Sequence, residues 1–372
     1  MTSYDVLVVG GGPAGATCAR ELARAGLRVV LLDRARFPRP KACAGWITPE
    51  VLPLLGWCPA EYDGTLAPFR RIVARRGARA FETDFGETVS FGILRREFDH
   101  RILREASAEG ATVVEGAGAD RVEIRRDGVA VESRGRAWRA AVLVGAGGHF
   151  CPVARHVGFR RREPAVAAIE SETRIGPELS LGPFASGLEL IVLPDLAGYA
   201  WIVGKGEHLN VGIGGFYRDL RERWTALLAD LDRRRVVDAS TLERPRGHAY
   251  RVYDPARLDG AVGDRWLLAG DAGGFARPVS GEGIRTAIET GLDAASTIRD
   301  ALARGDGISR ESLSPYLARA RARYGGGGPV RRALIASLGA LAPLAAGPIV
   351  RVPLLRRKIL GEALFGLHPP RN

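Results

Sequence analysis

Residues 5–15, Asp5-Val-Leu-Val-Val-Gly-Gly-Gly-Pro-Ala-Gly15, run four apolar residues straight into Gly10-x-Gly12-x-x-Gly15. A helical pattern covers Ala14 to Arg24, and Val29-Val-Leu-Leu32 then reads as a second strand that ends at Asp33. Each part of such a unit has a physical role. Gly10 permits the tight strand-to-helix turn, Gly12 lets the backbone approach a pyrophosphate, and Gly15 packs the helix on the strand. The helix N-terminus faces the phosphates, and Asp33 accepts hydrogen bonds from an adenosine ribose. Pro13 and Ala14 at the helix start, and Arg34 after Asp33, complete the candidate binding residues here. Glycine-rich turns alone are common, but strand, turn, helix, strand and acid together predict an ADP-binding unit.

At 372 residues the chain suits two intimately joined domains. A hydrophobic fraction of 46% and a charged fraction of 26% are ordinary for a soluble globular protein. The net charge of +12 suggests nucleic acid at first sight, yet lysine occurs only at Lys41, Lys205 and Lys358 among 54 basic residues. Arginine is spread along the whole length, without zinc-finger spacing, basic heptads or an aromatic-interleaved patch, so no nucleic-acid partner is expected. Attraction to anionic ligands or membrane surfaces fits the charge. Cys18, Cys43, Cys58 and Cys151 form no CxxC pair, and no signal peptide precedes the first strand. A reduced, cytoplasmic protein without a metal site is expected.

Along the chain, strands are predicted at 69–75, 79–84, 111–115, 119–125, 129–133, 137–144, 187–193, 198–203 and 208–214. Helices are predicted at 95–107, near 217–232 and near 282–302, and the tail from 311 reads as helical around Gly325–Gly328. Residues 333–350 are nearly all apolar between Arg332 and Arg351, but Pro343, Gly347 and Pro348 would break one long helix. Two readings stand for this tail: a lid over a hydrophobic cavity, or a patch in peripheral contact with a membrane.

Residues 265–284 carry a second signature. A strand ends at Gly270-Asp271, placing a carboxylate to bind a ribityl hydroxyl, and Arg277-Pro278-Val279-Ser280-Gly281-Glu282-Gly283 opens the next helix at Ile284. Glycines there let backbone N–H groups lie close to a flat ring, and a helix N-terminus favours the negative charge a reduced flavin carries. Pro278, Gly281, Gly283 and Ile284 join Gly270 and Asp271 as candidates for binding FAD.

Taken together, these motifs resemble the FAD-dependent family built on the p-hydroxybenzoate hydroxylase fold, over nearly the whole chain. Arg95-Arg-Glu-Phe98-Asp99-His-Arg-Ile102 is similar to that family's R-x-x-F-D-x-x-L, which makes Arg95 the flavin-contacting arginine by resemblance. The fold implied is α/β plus β: a Rossmann-type FAD-binding domain, an interleaved, mainly antiparallel β-sheet substrate domain, and a C-terminal helical tail. The expected boundaries are 1–67, 91–159 and 258–310 for the first, 68–90 and 160–257 for the second, and 311–372 for the tail. The family's middle motif, G-A-D-G-x-x-S-x-V-R, stands here as Gly145-Ala-Gly-Gly-His149-Phe-Cys151-Pro-Val-Ala-Arg155. Gly147 replaces the Asp and Cys151 the Ser, so no second nucleotide site is marked, although NAD(P)H is the reductant the family suggests. His149 reads as a turn residue.

Two segments narrow the branch. Pro40-Lys41-Ala42-Cys43-Ala44-Gly45 resembles the K-x-C-G-G element of geranylgeranyl reductases, which places a cysteine near the flavin and adds Lys41, Ala42 and Cys43 to the cofactor set. Tyr199-Ala-Trp201-Ile-Val-Gly-Lys205 resembles their Y-x-W-x-F-P-K, with Val203 for Phe and Gly204 for Pro. Tyr199, Trp201 and Val203 alternate onto one strand face, either as a flat apolar wall for a polyprenyl chain or quinone, or as core. The resemblance makes Cys43, Tyr199, Trp201 and Lys205 the catalytic candidates. The reaction it implies is hydride transfer to a hydrophobic small molecule, an isoprenoid C=C or a polyketide- or quinone-like compound, with a proton following from Cys43, Tyr199 or water. A monooxygenase acting on an aromatic ring or a peptide-borne tryptophan is the alternative. A non-catalytic flavin-binding redox partner, docking a redox or peptide partner, is the second alternative. Flavin halogenases carry W-x-W-x-I-P, which this chain lacks.

Overall fold

The computed structural model describes residues 3–159, 163–175, 187–195, 197–278, 280–305, 307–325 and 357. Two compact units emerge. The first comprises 1–40, 96–164 and 250–327; the second comprises 41–95, 165–249 and 328–372.

The first unit is built on the opening strand. Val6, Leu7 and Val8 in Ser3–Val9 are fully buried, as an interior parallel strand with both faces covered requires. Its neighbours are Val29–Asp33 on one side and Arg136–Gly145 on the other, both parallel. The sheet runs in the order Val262–Gly263, Trp266–Leu268, Arg136–Gly145, Ser3–Val9, Val29–Asp33, Thr112–Glu115, with Arg121–Ile124 and Val129–Ser133 added as an antiparallel extension. Helix Pro13–Arg24 packs closely on helix Ile284–Arg304: a Cβ on Gly291 would lie 2.5 Å from the Ala14 carbonyl oxygen. That proximity explains a glycine in the middle of a 21-residue helix, where it otherwise costs about 1 kcal/mol.

In the second unit a seven-stranded sheet runs Arg246–Tyr250, Val166–Arg174, His208–Gly215, Gly198–Lys205, Gly187–Val192, Arg71–Arg76, Arg79–Asp84. Gly187–Val192 and Arg71–Arg76 pair in parallel, while the hairpin Gly198–Lys205/His208–Gly215 is antiparallel. The alternation expected for 199–203 is realised. Ala200 and Ile202 join Val211 and Ile213 against Trp224, Leu227 and Leu231 of helix Leu220–Arg233. Trp201 and Val203 face the other way and pack with Phe69, Ile72, Leu188 and Leu190.

Residues 41–67, expected with the nucleotide-binding half, cluster with the second unit. The reason is a three-stranded sheet: Trp46–Ile47 and Leu66–Phe69 both pair with Ser90–Ile93. Residues 250–257 and the helical turns Arg310–Leu313 and Pro315–Tyr324 cluster with the first unit. The apolar segment 333–350 lies outside the described residues. Among the described residues no helix is long and apolar enough to cross a membrane, and no cluster of His, Cys, Asp or Glu could hold a metal ion.

Candidate functional site

Two clusters of the anticipated residues form, one in each unit. In the first, Gly10 turns with φ +113°, a conformation that favours glycine, and a Cβ there would meet the Ala146 carbonyl carbon at 2.5 Å. A side chain at Gly15 would overlap the Gly10 carbonyl oxygen. Helix Pro13–Arg24 starts at Gly12 with no side-chain cap, so its first N–H groups are free to meet an anion. Asp33 is held by two backbone donors, Gly11 N–H to Oδ2 at 2.6 Å and Ala35 N–H to Oδ1 at 2.7 Å. Each carboxylate oxygen retains a second lone pair, which a ribose hydroxyl can use. Arg34 is exposed.

One residue here was not anticipated. Arg39 pairs with the fully buried Asp99 at 3.2 Å, while its Nη1 is buried with no partner among the described residues. Its Nη2 lies 3.6 Å from where a side chain at Gly12 would begin. A guanidinium with a vacant buried donor beside an uncapped helix N-terminus fits an anionic diphosphate. The sequence signal was a lone arginine between two prolines in a segment with no periodicity.

The second signature lies in the same unit. Gly270–Ala272 coils into one helical turn, held by the Gly270 N–H donating to Thr290 Oγ1 at 3.0 Å. Asp271 Oδ1 sits 3.3 Å from the position a Cβ on Gly283 would take, so carboxylate and glycine share one small space. Arg277 closes the loop: its carbonyl accepts from Gly281 N–H, its N–H donates to the Glu282 carbonyl, and its guanidinium reaches Glu282 at 2.9 Å. Pro278 is exposed on this loop, and Ile284, buried, starts helix Ile284–Arg304 behind Gly283, again without a side-chain cap. In the middle motif a Cβ on Gly147 would lie 3.3 Å from Cys151 Sγ. The two replacements therefore fit together, since the buried Cys151 fills the space that an Asp side chain would cross. Burial pushes the Cys151 thiol up. His149 stacks edge-on with Phe150 and lies 3.4 Å from Arg251, as a turn residue would.

In the second unit Cys43, Tyr199, Trp201 and Lys205 do come together. The half-buried Cys43 thiol accepts from the Gly45 N–H at 3.3 Å. Burial pushes the Tyr199 phenol up to about 12, and the Cys43 thiol adds to that shift. Trp201 is 6% exposed and Lys205 is 0% exposed. Of the two readings of Tyr199, Trp201 and Val203, core holds at Trp201 and Val203, while Tyr199 is half-buried with its ring 5.8 Å from the Trp201 ring. Trp201 is not purely apolar in its contacts, because its indole N–H donates to Asn210 Oδ1 at 2.7 Å.

Lys205 ends its strand before the 206–207 turn, but its ammonium points inward, 2.5 Å from Glu172. Asn210 donates to Glu170 at 2.6 Å and to the Cys43 carbonyl at 3.2 Å. Glu170, Glu172 and Asn210 were not anticipated. Burial, aided by the Glu172 charge, pushes the Glu170 carboxyl up to about 7, against the opposing pull of Lys205 and Asn210. Lys41 and Ala42 lead into this loop, and Arg95, buried, opens helix Arg95–Ala108.

The chain is similar to known proteins over most of its length. Residues 5–91 match the family model described as FAD dependent oxidoreductase. A digeranylgeranylglycerophospholipid reductase of Methanoculleus marisnigri is 32% identical, over 86% of this chain and 82% of the relative. A menaquinone reductase of Mycobacterium tuberculosis is 30% identical, over 80% of this chain and 76% of the relative. The fold is also that of a geranylgeranyl bacteriochlorophyll reductase-like protein from Thermoplasma acidophilum, with a TM-score of 0.72 at 21% identity, covering 87% of this chain and 84% of that one.

Proposed function

The chain belongs to the geranylgeranyl reductase-like family of FAD-dependent oxidoreductases, and from that premise we propose that it reduces a carbon–carbon double bond or quinone ring in a long, apolar, isoprenoid-bearing substrate. The observation that carries this reading is the Cys43–Tyr199 pair, two weak acids of one unit, both half-buried, with Tyr199 backed by an apolar core.

Reduced FAD supplies a hydride equivalent when bound. In this reading the chain's residues do the rest. Gly10, Gly12, Pro13, Ala14 and Gly15 bring the backbone and helix N-terminus to the diphosphate, and Arg39 offers its vacant Nη1 to the same group. Asp33 and Arg34 bind at the adenosine end, and Asp271 accepts a ribityl hydroxyl. Gly270, Pro278, Gly281, Gly283 and Ile284 shape a backbone surface for a flat ring. Arg95, Lys41 and Ala42 support the flavin side of the site, and NAD(P)H is the proposed reductant. Cys43 or Tyr199 holds the proton that completes the reduction. The Tyr199 phenol, pushed up to about 12 by burial, holds its proton at neutral pH, as a general acid must before transfer. Trp201 and Lys205 act behind them by fixing the strand. The C-terminal tail, with its arginine-flanked apolar segment, is proposed to meet the membrane from which such a substrate is drawn.

The reading is tested by anaerobic mixing of dithionite-reduced holoenzyme with a geranylgeranyl lipid or a menaquinone. It predicts flavin reoxidation with a product heavier by two hydrogens. A product that gains oxygen when air is admitted, with no anaerobic reoxidation by either acceptor, would favour the monooxygenase alternative instead.

A further inference from the structure

We propose that Asn210 is a positioning residue that ties the Cys43 loop to the Glu170/Glu172 pair, so that one proton on that pair changes how the Cys43 thiol is presented. The inference deepens the reading above, in which Cys43 is a proton donor, but it stands on geometry within one unit.

The strand Val166–Arg174 places Glu170 and Glu172 two residues apart, hence on the same face. Asn210 lies opposite Glu172 on the adjacent strand, and Val203 lies opposite Asn210 on the next. The orientation of the Asn210 amide follows from chemistry: an indole N–H can only donate, so the amide oxygen faces Trp201 and the NH2 faces the acceptors. Those acceptors are Glu170 at 2.6 Å, the Cys43 carbonyl at 3.2 Å and Glu172 at 3.4 Å. Two hydrogens thus serve three acceptors. The other end of the loop is held as well, because Gly45 adopts φ +61° and a side chain there would overlap the Lys205 ammonium.

Charge decides what this arrangement does. Around Glu170, 3% exposed, stand Glu172 on its own strand, Lys205 two strands away, Asn210 between them, and Arg246 on the outer strand, with His248 two residues further along. Lys205 neutralises one carboxylate, and Arg246 is partly exposed and screened. Two ionised carboxylates would leave a net negative charge in the interior, which is costly, so one proton is retained near neutrality. When Glu170 ionises, its charge-assisted bond claims the Asn210 NH2 more strongly and weakens the hold on the Cys43 carbonyl. When Glu170 is protonated, the Cys43 carbonyl takes the larger share.

The test is thiol labelling of the holoenzyme by iodoacetamide, read peptide by peptide, from about pH 5 to about pH 9. Exposed Cys58 is the internal reference, and Cys18 and Cys151 are buried. In wild type the Cys43-to-Cys58 labelling ratio, after correction for ionisation of each thiol, is expected to change about fivefold through neutrality, the worth of one hydrogen bond. Glu170→Gln should remove that inflection and leave both thiols reactive; Asn210→Ser should remove it while Glu170 still titrates. An uninflected wild-type ratio, or an inflection that survives both substitutions, would overturn the proposal. Labelling needs no substrate, so its failure leaves the reductive reading standing, and a failed turnover assay leaves the labelling result intact.

Discussion

The Trp201 indole N–H donates to Asn210 Oδ1 at 2.7 Å, and the ring reaches it by lying across Gly212 on the neighbouring strand. A Cβ at 212 would overlap the Trp201 ring. Gly212→Ala is therefore expected to destabilise the protein by about 2 kcal/mol, the usual cost of overpacking. Thermal or urea unfolding measures it. An unchanged midpoint would mean that the indole does not occupy that space.

Arg39 is expected to hold the diphosphate of FAD. Arg39→Ala should weaken FAD binding roughly 10- to 100-fold, the loss of a charge-assisted hydrogen bond, with Arg39→Lys falling between. The Kd for FAD, from fluorescence titration of apoprotein, is the readout. Since the substitution also removes the ion pair between Arg39 and the buried Asp99, stability is measured alongside to separate the two effects.

Glu170 makes stability depend on pH. Its folded pKa, about 7, lies above its ordinary 4.5, so the folded state binds the proton more tightly. Stability from this group is fully present below about pH 4.5 and is lost as pH rises through about 7. Glu170→Gln should match wild type in weak acid and exceed it at mildly alkaline pH by up to ~3 kcal/mol. Denaturant unfolding at two pH values checks this, and a variant less stable than wild type at alkaline pH would contradict it.

Cys43→Ala and Tyr199→Phe should separate binding from chemistry. Each is expected to slow the reductive step far more than it weakens FAD binding. The residue that supplies the proton should show about a 100-fold or greater loss in kcat, the worth of one general acid. Equal, small effects from both would assign the proton to water.

Much of this was legible in the sequence, for physical reasons. The Gly10–Gly15 turn and the Gly270–Gly283 segment are local: backbone sterics and helix termini fix them within a few residues, and the structure places them accordingly. Cys43, Tyr199 and Lys205 were visible through their motifs. The strand Val166–Arg174 was not picked out, because its buried face carries Glu170 and Glu172, which no hydrophobic alternation marks. Asn210 reads as an ordinary polar residue until Trp201, Glu170 and Cys43, far apart in the chain, converge on it. Arg39 shows itself only once Asp99 and Gly12 flank it. The grouping of 41–67 with the second unit was hidden for a similar reason, since it follows from pairing with Ser90–Ile93.

The stoichiometry of one anaerobic turnover tests directly whether the chain is a reductase. Reduced holoenzyme is mixed with a geranylgeranyl lipid or a menaquinone, and reoxidised flavin and product are counted together. One product molecule, heavier by two hydrogens, is expected for each flavin reoxidised. Flavin that stays reduced with both acceptors and reoxidises only with oxygen would contradict it.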